Sequence, residues 1–169
     1  MGAKDNMSGL VFDNQVLCLT SDFYNMYPNP PYVEILRKAN RPYNCLLLQS
    51  SYDYFVCVPY RTEVRHKYAY KFTSSYRSVS NDSGLDYTKV VIVSDVNSHY
   101  LSTVHAVVDA DEYKETRNNI NIIVHDVSQY IDDYVNHCMG SVVLHKQDFL
   151  RRYRYSTLSY FHKELNIRT

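Results

Sequence analysis

The 169-residue chain is predicted to be an α+β protein built on an antiparallel β-sheet. Short apolar runs rich in valine, leucine and cysteine follow one another, without the intervening helices that a parallel sheet requires. One long stripe of apolar residues near 110–138 has the three- and four-residue spacing of a helix. A chain of this length is expected to form a single domain. We place that domain at residues 15–169, behind a loose polar tail at 1–14.

The first half of the chain is predicted to hold two helices and three strands. Apolar residues at 16–19 indicate a strand, and Ser21 can cap a helix that ends before a cluster of prolines. Pro31 suits the first turn of a second helix, because its missing N–H needs no partner there. Two β-rich runs at 43–49 and 54–59 are separated by a short polar segment, which predicts a hairpin.

The second half is predicted to contain a polar loop, further strands and the long helix. Residues 73–88 are rich in serine, asparagine and aspartate and are predicted to form the loop. Asp109 followed by Glu112 resembles a capping box that opens the long helix, and Gly140 is expected to end it. Additional strands are expected at 90–93, 103–108 and 141–144, and two final helices near 147–153 and 156–165.

The charges of this chain are unevenly distributed although their sum is zero. Residues 60–77 and 145–163 each carry five basic side chains against one acidic, whereas 109–133 carry seven acidic against two basic. Two basic segments can form one face that binds a polyanion such as RNA. Eighteen tyrosines and no tryptophan supply flat rings for base stacking, although tyrosine also suits a strand-rich core.

Cellular location and cofactors follow from what the sequence lacks. No apolar run approaches the roughly 20 residues that span a bilayer, and the first residues do not resemble a signal peptide, so we expect a cytoplasmic protein without membrane contact. The four cysteines form no Cys-x-x-Cys pair and are expected to be reduced. The histidines lack metal-ligand spacing, so neither a metal nor another cofactor is expected.

The most informative segment follows the second strand of the predicted hairpin and contains Arg61, Thr62, His66 and Lys67. RNA cleavage without metal needs proton transfer at the 2′-hydroxyl and the leaving 5′-oxygen, together with cations that stabilise the phosphorane. Histidine titrates near neutrality, and arginine presents a planar fork of donors that matches phosphate. The threonine hydroxyl can donate to the phosphate or orient the nucleophile. A solvated basic turn, with His66 packed against Tyr68, explains the same spacing.

Basic and aromatic residues near this segment and near residue 150 are predicted to contact RNA. The block at 151–155 alternates guanidinium and phenol groups, which can hold a phosphate backbone and stack bases. Alternatively, its arginines cover acidic residues of the predicted long helix. The candidate RNA-contacting residues are Tyr60, Arg65, Tyr68, Lys71, Arg77, Arg151, Arg152, Tyr153 and Arg154.

Six short motifs between about residues 16 and 165 form a family pattern. They are Arg41-Pro42-Tyr43, Val58-Pro59-Tyr60-Arg61-Thr62, His66-Lys67-Tyr68, Ser83-Gly84-Leu85-Asp86-Tyr87, Asp109 with Glu112-Tyr113, and Tyr153-Arg154-Tyr155-Ser156-Thr157-Leu158. Together they resemble the toxins of type III toxin–antitoxin systems, the ToxN/AbiQ group, and within it the CptN and TenpN branches.

This resemblance implies a metal-independent endoribonuclease with a compact, twisted antiparallel β-sheet or barrel core, surrounded by helices and similar to the core of the MazF/Kid toxins. Toxins of this group cleave cellular mRNA and leave a 2′,3′-cyclic phosphate. The implied partner is a small, repeated, pseudoknotted antitoxin RNA that inhibits the toxin. The toxin also processes that RNA from its precursor, and the two alternate in a closed hetero-oligomer.

The resemblance also implies where the site lies, namely after the Pro-x-x-Ser/Thr motif that runs here from Pro59 to Thr62. The ToxN branch has Thr-Ser followed closely by Lys, whereas this chain has Arg61-Thr62 with His66 and Lys67 further on. The hydroxyl role therefore transfers to Thr62, while the cationic role can belong to Arg61, His66 or Lys67. Our hypothesis is that Arg61 and Lys67 stabilise the phosphate, Thr62 orients it or the 2′-hydroxyl, and His66 exchanges the proton.

Further expectations concern one residue and the alternatives to a nuclease. Tyr43 occupies roughly the place where the family has another site residue, so RNA contact is expected there. A non-catalytic RNA-binding module could use the same basic and aromatic surface. An interaction domain held by its tyrosines, with no nucleic acid, is a third interpretation.

Overall fold

The computed structural model describes residues 14–38, 43–50, 52–104 and 106–168, and it confirms an α+β fold. The predicted tail at 1–14 lies outside this range except for its last residue. The described strands are β1 (Val16–Leu19), β2 (Asn44–Gln49), β3 (Tyr54–Arg61), β4 (Ala69–Lys71), β5 (Gly84–Asp86), β6 (Val91–Ser94) and β7 (Leu101–Ser102). The described helices are α1 (Ser21–Met26), α2 (Tyr76–Asn81), α3 (Ala110–Asn118), α4 (Ile120–Met139) and α5 (Lys146–Tyr153).

The seven described strands form one antiparallel sheet with β3 at its centre. Their order is β4-β5-β3-β2-β1-β7, and β6 also pairs with β3. One edge of β3 pairs with β2, as the hairpin prediction requires, while its other edge is shared by β6 and β5. The two end strands β4 and β7 do not pair with each other. The sheet is therefore open: of the sheet or barrel core that the resemblance implies, the structure has the sheet and not the barrel.

Continuous apolar runs explain why β2 and β3 occupy the middle of the sheet. Residues 45–48 and 55–60 are buried along their whole length, as in strands covered on both faces. Helix α4 contributes to the same core through Ile123, Val127 and Ile131. All four cysteines are free, as expected.

The predicted polar loop at 73–88 is wrong, because this segment contains helix α2 and strand β5. Ser75 and Ser78 form a reciprocal capping box: Ser78 N donates to Ser75 Oγ at 2.9 Å, and Ser75 N donates to Ser78 Oγ at 3.1 Å. Strand β5 begins at Gly84, where a Cβ would lie 2.5 Å from the backbone oxygen of Tyr70. Only glycine permits this close approach of β4 and β5.

The predicted long helix is interrupted at Asn119, which separates α3 from α4. The backbone of Asn119 has φ −120° and ψ 21°, outside helical values. Its Nδ2 donates to the carbonyl oxygen of Glu115 at 2.9 Å, a local bond of the kind that competes with helix continuation. Both predicted ends are confirmed: Asp109 caps α3, and Gly140, with φ 77°, ends α4.

Two further predicted helices are not observed as helices. Residues 31–35 form turns, in which Tyr32 N donates to Pro28 O, and the surrounding prolines supply no N–H donors. Residues after 156 form a short 3-10 turn at Thr157–Tyr160 and a second turn at 162–166. The buried Thr157 hydroxyl donates to the backbone oxygen of Val90, which ties this segment to the sheet.

Two predicted strands are also absent from the described residues. Strand β7 covers Leu101–Ser102, and the described part of 103–108 is irregular. The segment 141–144 is not extended against the sheet, because its donors complete the end of α4. Ser141 N donates to Asn136 O at 2.9 Å, and Leu144 N donates to His137 Nδ1 at 3.0 Å.

Glu115 of α3 connects this helix to the segment that follows β4. Its carboxylate accepts hydrogen bonds from Tyr70 Oη at 2.8 Å, Thr73 N at 2.9 Å, Ser74 N at 3.0 Å and Ser74 Oγ at 2.6 Å. Burial raises the pKa of this carboxyl, but the hydrogen bonds from Ser74, Thr73 and Tyr70 lower it by a larger amount. The pKa of Glu115 therefore lies below its ordinary value of 4.5.

Replacing Glu115 with glutamine is expected to lower the free energy of unfolding at pH 7 by about 1–3 kcal/mol, because buried donors lose an ionised acceptor. A carboxyl whose pKa is lower in the folded state stabilises the fold at pH values above its unfolded pKa. This stabilisation is lost as the pH falls through the folded pKa. The difference in unfolding free energy between wild type and Glu115→Gln should therefore become smaller as the pH falls. Urea unfolding between pH 7 and about 3.5 measures this difference. Asp111→Asn, on the exposed side of α3, is the matched control. A difference independent of pH would contradict the assignment.

Candidate functional site

Three polar side chains meet at the end of β3. Arg61 is the last residue of β3, Asp86 is the last residue of β5, and His66 lies between β3 and β4. The side chain of Asp86 is fully buried; Arg61 Nη1 lies 2.8 Å from its Oδ2, and His66 Nε2 lies 3.1 Å from its Oδ1. Pairing of Arg61 with Gly84 places β5 beside β3 and thereby brings the carboxylate to this position.

Asp86 also fixes the turn that follows it. Thr88 donates to Asp86 Oδ1 from its backbone N at 2.9 Å and from its hydroxyl at 2.6 Å, so Asp86 caps the 3-10 turn Tyr87–Lys89. Burial raises the pKa of the Asp86 carboxyl, but the adjacent His66 ring and the hydrogen bonds from Thr88 and Arg61 outweigh burial. The pKa therefore lies below its ordinary value of 3.8. Asp86 is ionised at neutral pH and anchors its neighbours.

Hydrogen bonds determine the orientation of the His66 ring. Tyr68 N donates to His66 Nδ1 at 3.1 Å, so this nitrogen is an acceptor and the ring proton is assigned to Nε2, which faces Asp86. Nε2 is buried and, although it lies 3.1 Å from Asp86 Oδ1, it does not form a hydrogen bond of normal geometry, whereas the side chain as a whole is 35% exposed. Each ring nitrogen thus lies next to a protein group. Proton exchange with a substrate requires the ring to leave one of these contacts.

Arg61 and His66 line an open cavity of about 320 Å³, which we call the arginine cavity. Its lining carries four cationic groups and two tyrosine rings, a combination suited to a phosphate and an adjacent base. The residues that supply these groups and the imidazole are Arg61, His66, Tyr68, Lys89, Arg151, Arg152 and Tyr155.

The two arginines of α5 in this cavity have acidic partners. Arg152 Nη1 lies 3.0 Å from Asp133 Oδ2 on α4, and Arg151 Nη1 lies 3.2 Å from Asp148 Oδ1 on its own helix. The alternative that these arginines cover acidic residues of the long helix is therefore confirmed for Arg152. Both arginines nevertheless line the cavity, so pairing does not remove them from it.

Lys89 connects three parts of the cavity wall. Its Nζ donates to Glu34 Oε2 and, at 2.7 Å, to the backbone oxygen of Tyr155. The Lys89 side chain is 11% exposed, so its position is fixed more firmly than that of a surface lysine. It holds the segment around Glu34 and the end of α5 against the turn that Asp86 caps.

Two of the four predicted catalytic residues do not line the arginine cavity. Thr62 is half-buried just after β3, and Lys67 is exposed with its Nζ 5.6 Å from the centroid of the Tyr68 ring. The structure thus brings Arg61 and His66 together at the cavity wall. Thr62 and Lys67 are their neighbours in the sequence but do not line the cavity.

The predicted RNA-contacting residues divide into several groups. Tyr68, Arg151 and Arg152 line the arginine cavity, while Tyr60 and Arg77 line a second cavity. Those outside both cavities are Tyr43, half-buried with Lys38 Nζ 4.4 Å from its ring centroid, the exposed Arg65 and Lys71, and Arg154, whose guanidinium lies 5.2 Å from the Tyr155 ring centroid.

Tyr153, also predicted to contact RNA, is a core residue. Its ring is buried, and its hydroxyl donates to the backbone oxygen of Tyr130 at 2.7 Å. The ring packs against Tyr130 and Tyr134 on α4. It supports α5 from within and does not present a face for base stacking.

No role is predicted from the sequence for Asp86, Lys89 or Glu34, although all three side chains shape this site. Asp86 belongs to one of the motifs that carry the family resemblance, and its spacing to Thr88 is typical of an aspartate-capped turn. That spacing is a signal for the turn. It does not reveal that the carboxylate faces Arg61, because this depends on the pairing of β5 with β3.

Two general features of the described residues bear on possible chemistry. No group of three or more histidine, cysteine or acidic side chains among them is placed to share a metal ion. None of the helices in the described ranges is long and apolar enough to cross a bilayer.

Comparison with protein-family models, curated proteins and solved structures finds no significant match to this chain. The resemblance to type III toxins depends on the short motifs given above and stays a prediction.

Proposed function

We propose that this protein is a metal-independent endoribonuclease, the toxin of a type III toxin–antitoxin system. The observation that supports this function is the convergence of Arg61 and His66 on buried Asp86 at the wall of the arginine cavity. Cations and tyrosine rings complete that wall. A phosphate flanked by bases presents the complementary charge and shape.

The proposed reaction is an internal transesterification of RNA. The 2′-oxygen loses its proton and bonds to phosphorus, while the 5′-oxygen leaves and takes up a proton, so a 2′,3′-cyclic phosphate remains. Arg61, held in one orientation by Asp86, donates to the phosphate as negative charge develops on it. His66 exchanges the proton after its ring leaves the Tyr68 N–H, with Asp86 as its orienting partner. Thr62 orients the phosphate or the 2′-hydroxyl, and Lys67 adds positive charge from outside the cavity.

The remaining parts of the proposal come from the family resemblance. The substrate is cellular mRNA, and a repeated pseudoknotted RNA inhibits the toxin, which processes that RNA from its precursor. Toxin and RNA assemble into a closed hetero-oligomer in the cytoplasm. A core of the MazF/Kid type is compatible with the open antiparallel sheet and its surrounding helices.

A non-catalytic RNA-binding module is the second candidate, and one observation favours it. Both nitrogens of His66 lie next to protein groups, so the ring is not free to transfer a proton without moving. In such a module Arg61, Arg151 and Arg152 hold the phosphate backbone, and no bond is cleaved.

Replacing His66 with alanine is expected to lower RNA cleavage by about 10²–10⁴-fold, because a proton-transfer group is removed. The measurement follows a labelled precursor RNA and detects the 2′,3′-cyclic phosphate end of its product. Thr62→Ala is tested in parallel. His125→Ala, an exposed position on α4, is the matched control and should cleave at the wild-type rate.

Two results would overturn the assignment in different ways. Wild-type cleavage by both His66→Ala and Thr62→Ala would show that the site is wrong. Absence of cleavage by the wild type, with RNA binding that Arg61→Ala weakens, would establish the binding module. The ratio of absorbance at 260 and 280 nm of the purified protein gives a first indication of bound RNA.

A further inference from the structure

A second cavity lies on the opposite face of the sheet from the arginine cavity. Tyr60 lines this second cavity and Arg61 lines the first, and successive residues of a strand point to opposite faces. Its volume is about 330 Å³, at the small end of the range of about 300–1,000 Å³ for ligand pockets. Its polar lining consists of Lys38, Asn44, Tyr60, Arg77, Asp109 and Glu112. We call it the Glu112 cavity.

Glu112 is an unusual lining residue, because its carboxylate is buried with little to bind it. The side chain is 2% exposed, and its Oε1 forms an ion pair with Arg77 Nε at 3.5 Å, longer than an ordinary hydrogen bond. Arg77 Nε and the nearby Ser83 Oγ are themselves buried without a well-formed hydrogen bond. Burial raises the pKa of this carboxyl, and Arg77 and the Ser83 hydroxyl offset only part of that effect.

Glu115, one turn further along α3, provides the contrast. Its carboxylate accepts four hydrogen bonds from Tyr70, Thr73 and Ser74, so its acceptor capacity is used within the protein. A buried carboxylate without such donors is costly, and it persists where another group supplies them. Within the described residues the Glu112 carboxylate has only the long Arg77 contact and no such set of short hydrogen bonds, so it can accept from a ligand with N–H donors.

Two cations border the same cavity. The Arg77 side chain is 39% exposed, and Lys38 is exposed at the rim, so both can reach a phosphate at the entrance. The cavity thus offers acceptors inside and two cations at its entrance, beside the Asp109 carboxylate that caps α3. A nucleotide has the complementary arrangement, with N–H donors on its base and negative charge on its phosphate.

The choice among bases follows from their donor patterns. Guanine presents a ring N–H beside an exocyclic amino group, two adjacent donors that match the two oxygens of a carboxylate. Adenine and cytosine place an amino donor next to a ring acceptor, and uracil has one N–H between two carbonyls. We propose that the Glu112 cavity binds a guanine base of RNA, with Glu112 on its two donors and Arg77 and Lys38 on its phosphate. The identification of RNA as the source of the guanine rests on the proposed function.

The first test measures binding of free mononucleotides to the full chain by calorimetry. GMP should bind about tenfold or more tightly than AMP, CMP, UMP or IMP, since IMP lacks only the exocyclic amino group. Glu112→Gln should remove this preference, because an amide replaces one acceptor with a donor. Arg77→Gln should weaken GMP more than guanosine, because it removes a phosphate contact. Asp111→Asn, an exposed carboxylate on the same helix, should leave GMP affinity unchanged.

Other outcomes overturn the proposal. One is that the wild type does not bind GMP at millimolar concentration. Another is that both Glu112→Gln and Arg77→Gln leave GMP affinity unchanged. A third is a preference for adenine or cytosine, which would indicate a protonated Glu112. Circular dichroism spectra and unfolding midpoints of both variants identify any loss caused by misfolding, and Arg77→Gln tests the cavity independently of the buried carboxyl.

A second experiment tests whether the ligand is RNA or a free nucleotide. It also distinguishes failure of this proposal from failure of the nuclease proposal. A single-stranded RNA with one guanine should bind more tightly than the same RNA with inosine there, and equal binding would refute recognition of guanine within RNA. If GMP binding depends on Glu112 but the protein does not cleave RNA, the nuclease proposal is wrong and the proposal of guanine binding in the Glu112 cavity stands. Cleavage that depends on His66, without any guanine preference, would do the reverse.

Discussion

Replacing Asp86 with alanine is expected to cause the largest loss of both stability and activity. The substitution removes a fully buried carboxylate that lies 2.8 Å from Arg61 Nη1 and accepts two hydrogen bonds from Thr88. Breaking one partner of a buried ion pair typically costs about 3–5 kcal/mol, because the remaining groups stay desolvated. We expect a fall of this size in urea unfolding. RNA cleavage should also fall below detection, since Arg61 and His66 lose their common anchor.

Asp86→Asn separates the charge of this residue from its shape. Because the folded pKa of Asp86 is lowered, its stabilising effect is present above the ordinary value of 3.8 and is lost as pH falls through the folded value. The gap in unfolding free energy between wild type and Asp86→Asn should therefore narrow in acid. Asp82→Asn, at an exposed carboxylate after α2, is the control and should unfold like the wild type. If Asp86→Ala unfolds at the wild-type urea concentration, the anchor role is wrong.

Replacing Gly84 with alanine is expected to separate β4 from β5. The added Cβ would lie 2.5 Å from the backbone oxygen of Tyr70 and 3.5 Å from the Cα of Lys71. These are backbone atoms, which cannot move aside like the end of a flexible side chain. We expect a loss of about 3 kcal/mol in unfolding free energy, the upper part of the usual range for overpacking.

The matched control for Gly84→Ala is Gly140→Ala. Gly140 has φ +77° and no atom within 4 Å of an added Cβ, so that substitution costs backbone strain alone, about 1–2 kcal/mol. Amide hydrogen exchange should show faster exchange at Lys71 and Phe72 in Gly84→Ala only, because Phe72 N donates to Ser83 O across this junction. A larger loss for Gly140→Ala than for Gly84→Ala would contradict the steric argument.

Elements with a strong local signal were predicted well. Strands β2 and β3 are continuous apolar runs, and α5 lies where the sequence places it, at Lys146–Tyr153. Strand β5 is three residues long and depends on partners on both sides, so no local pattern could distinguish it from a loop. The break at Asn119 was hidden because the apolar stripe continues on either side of it.

The candidate site was predicted only in part, because a local pattern reveals neighbours in the sequence and not contacts made by strand pairing. Arg61 ends β3 and His66 comes five residues later, so their proximity is local and visible in the sequence. Asp86 comes 25 residues after Arg61, and only the register of β5 against β3 places it there. Lys89 and Glu34 meet across 55 positions, a contact that neither residue type nor spacing indicates.

The adjacency of Tyr60 and Arg61 limits how the length of β3 can change. A strand alternates its side chains between two surfaces, so inserting or deleting one residue just before Tyr60 would exchange the surfaces to which the two point. An aromatic ring would then replace the guanidinium beside Asp86, and a cation would enter the compartment next to Glu112. Such a change would disable both compartments at once, whereas the exposed stretch at 141–143 can accept extra residues without affecting either.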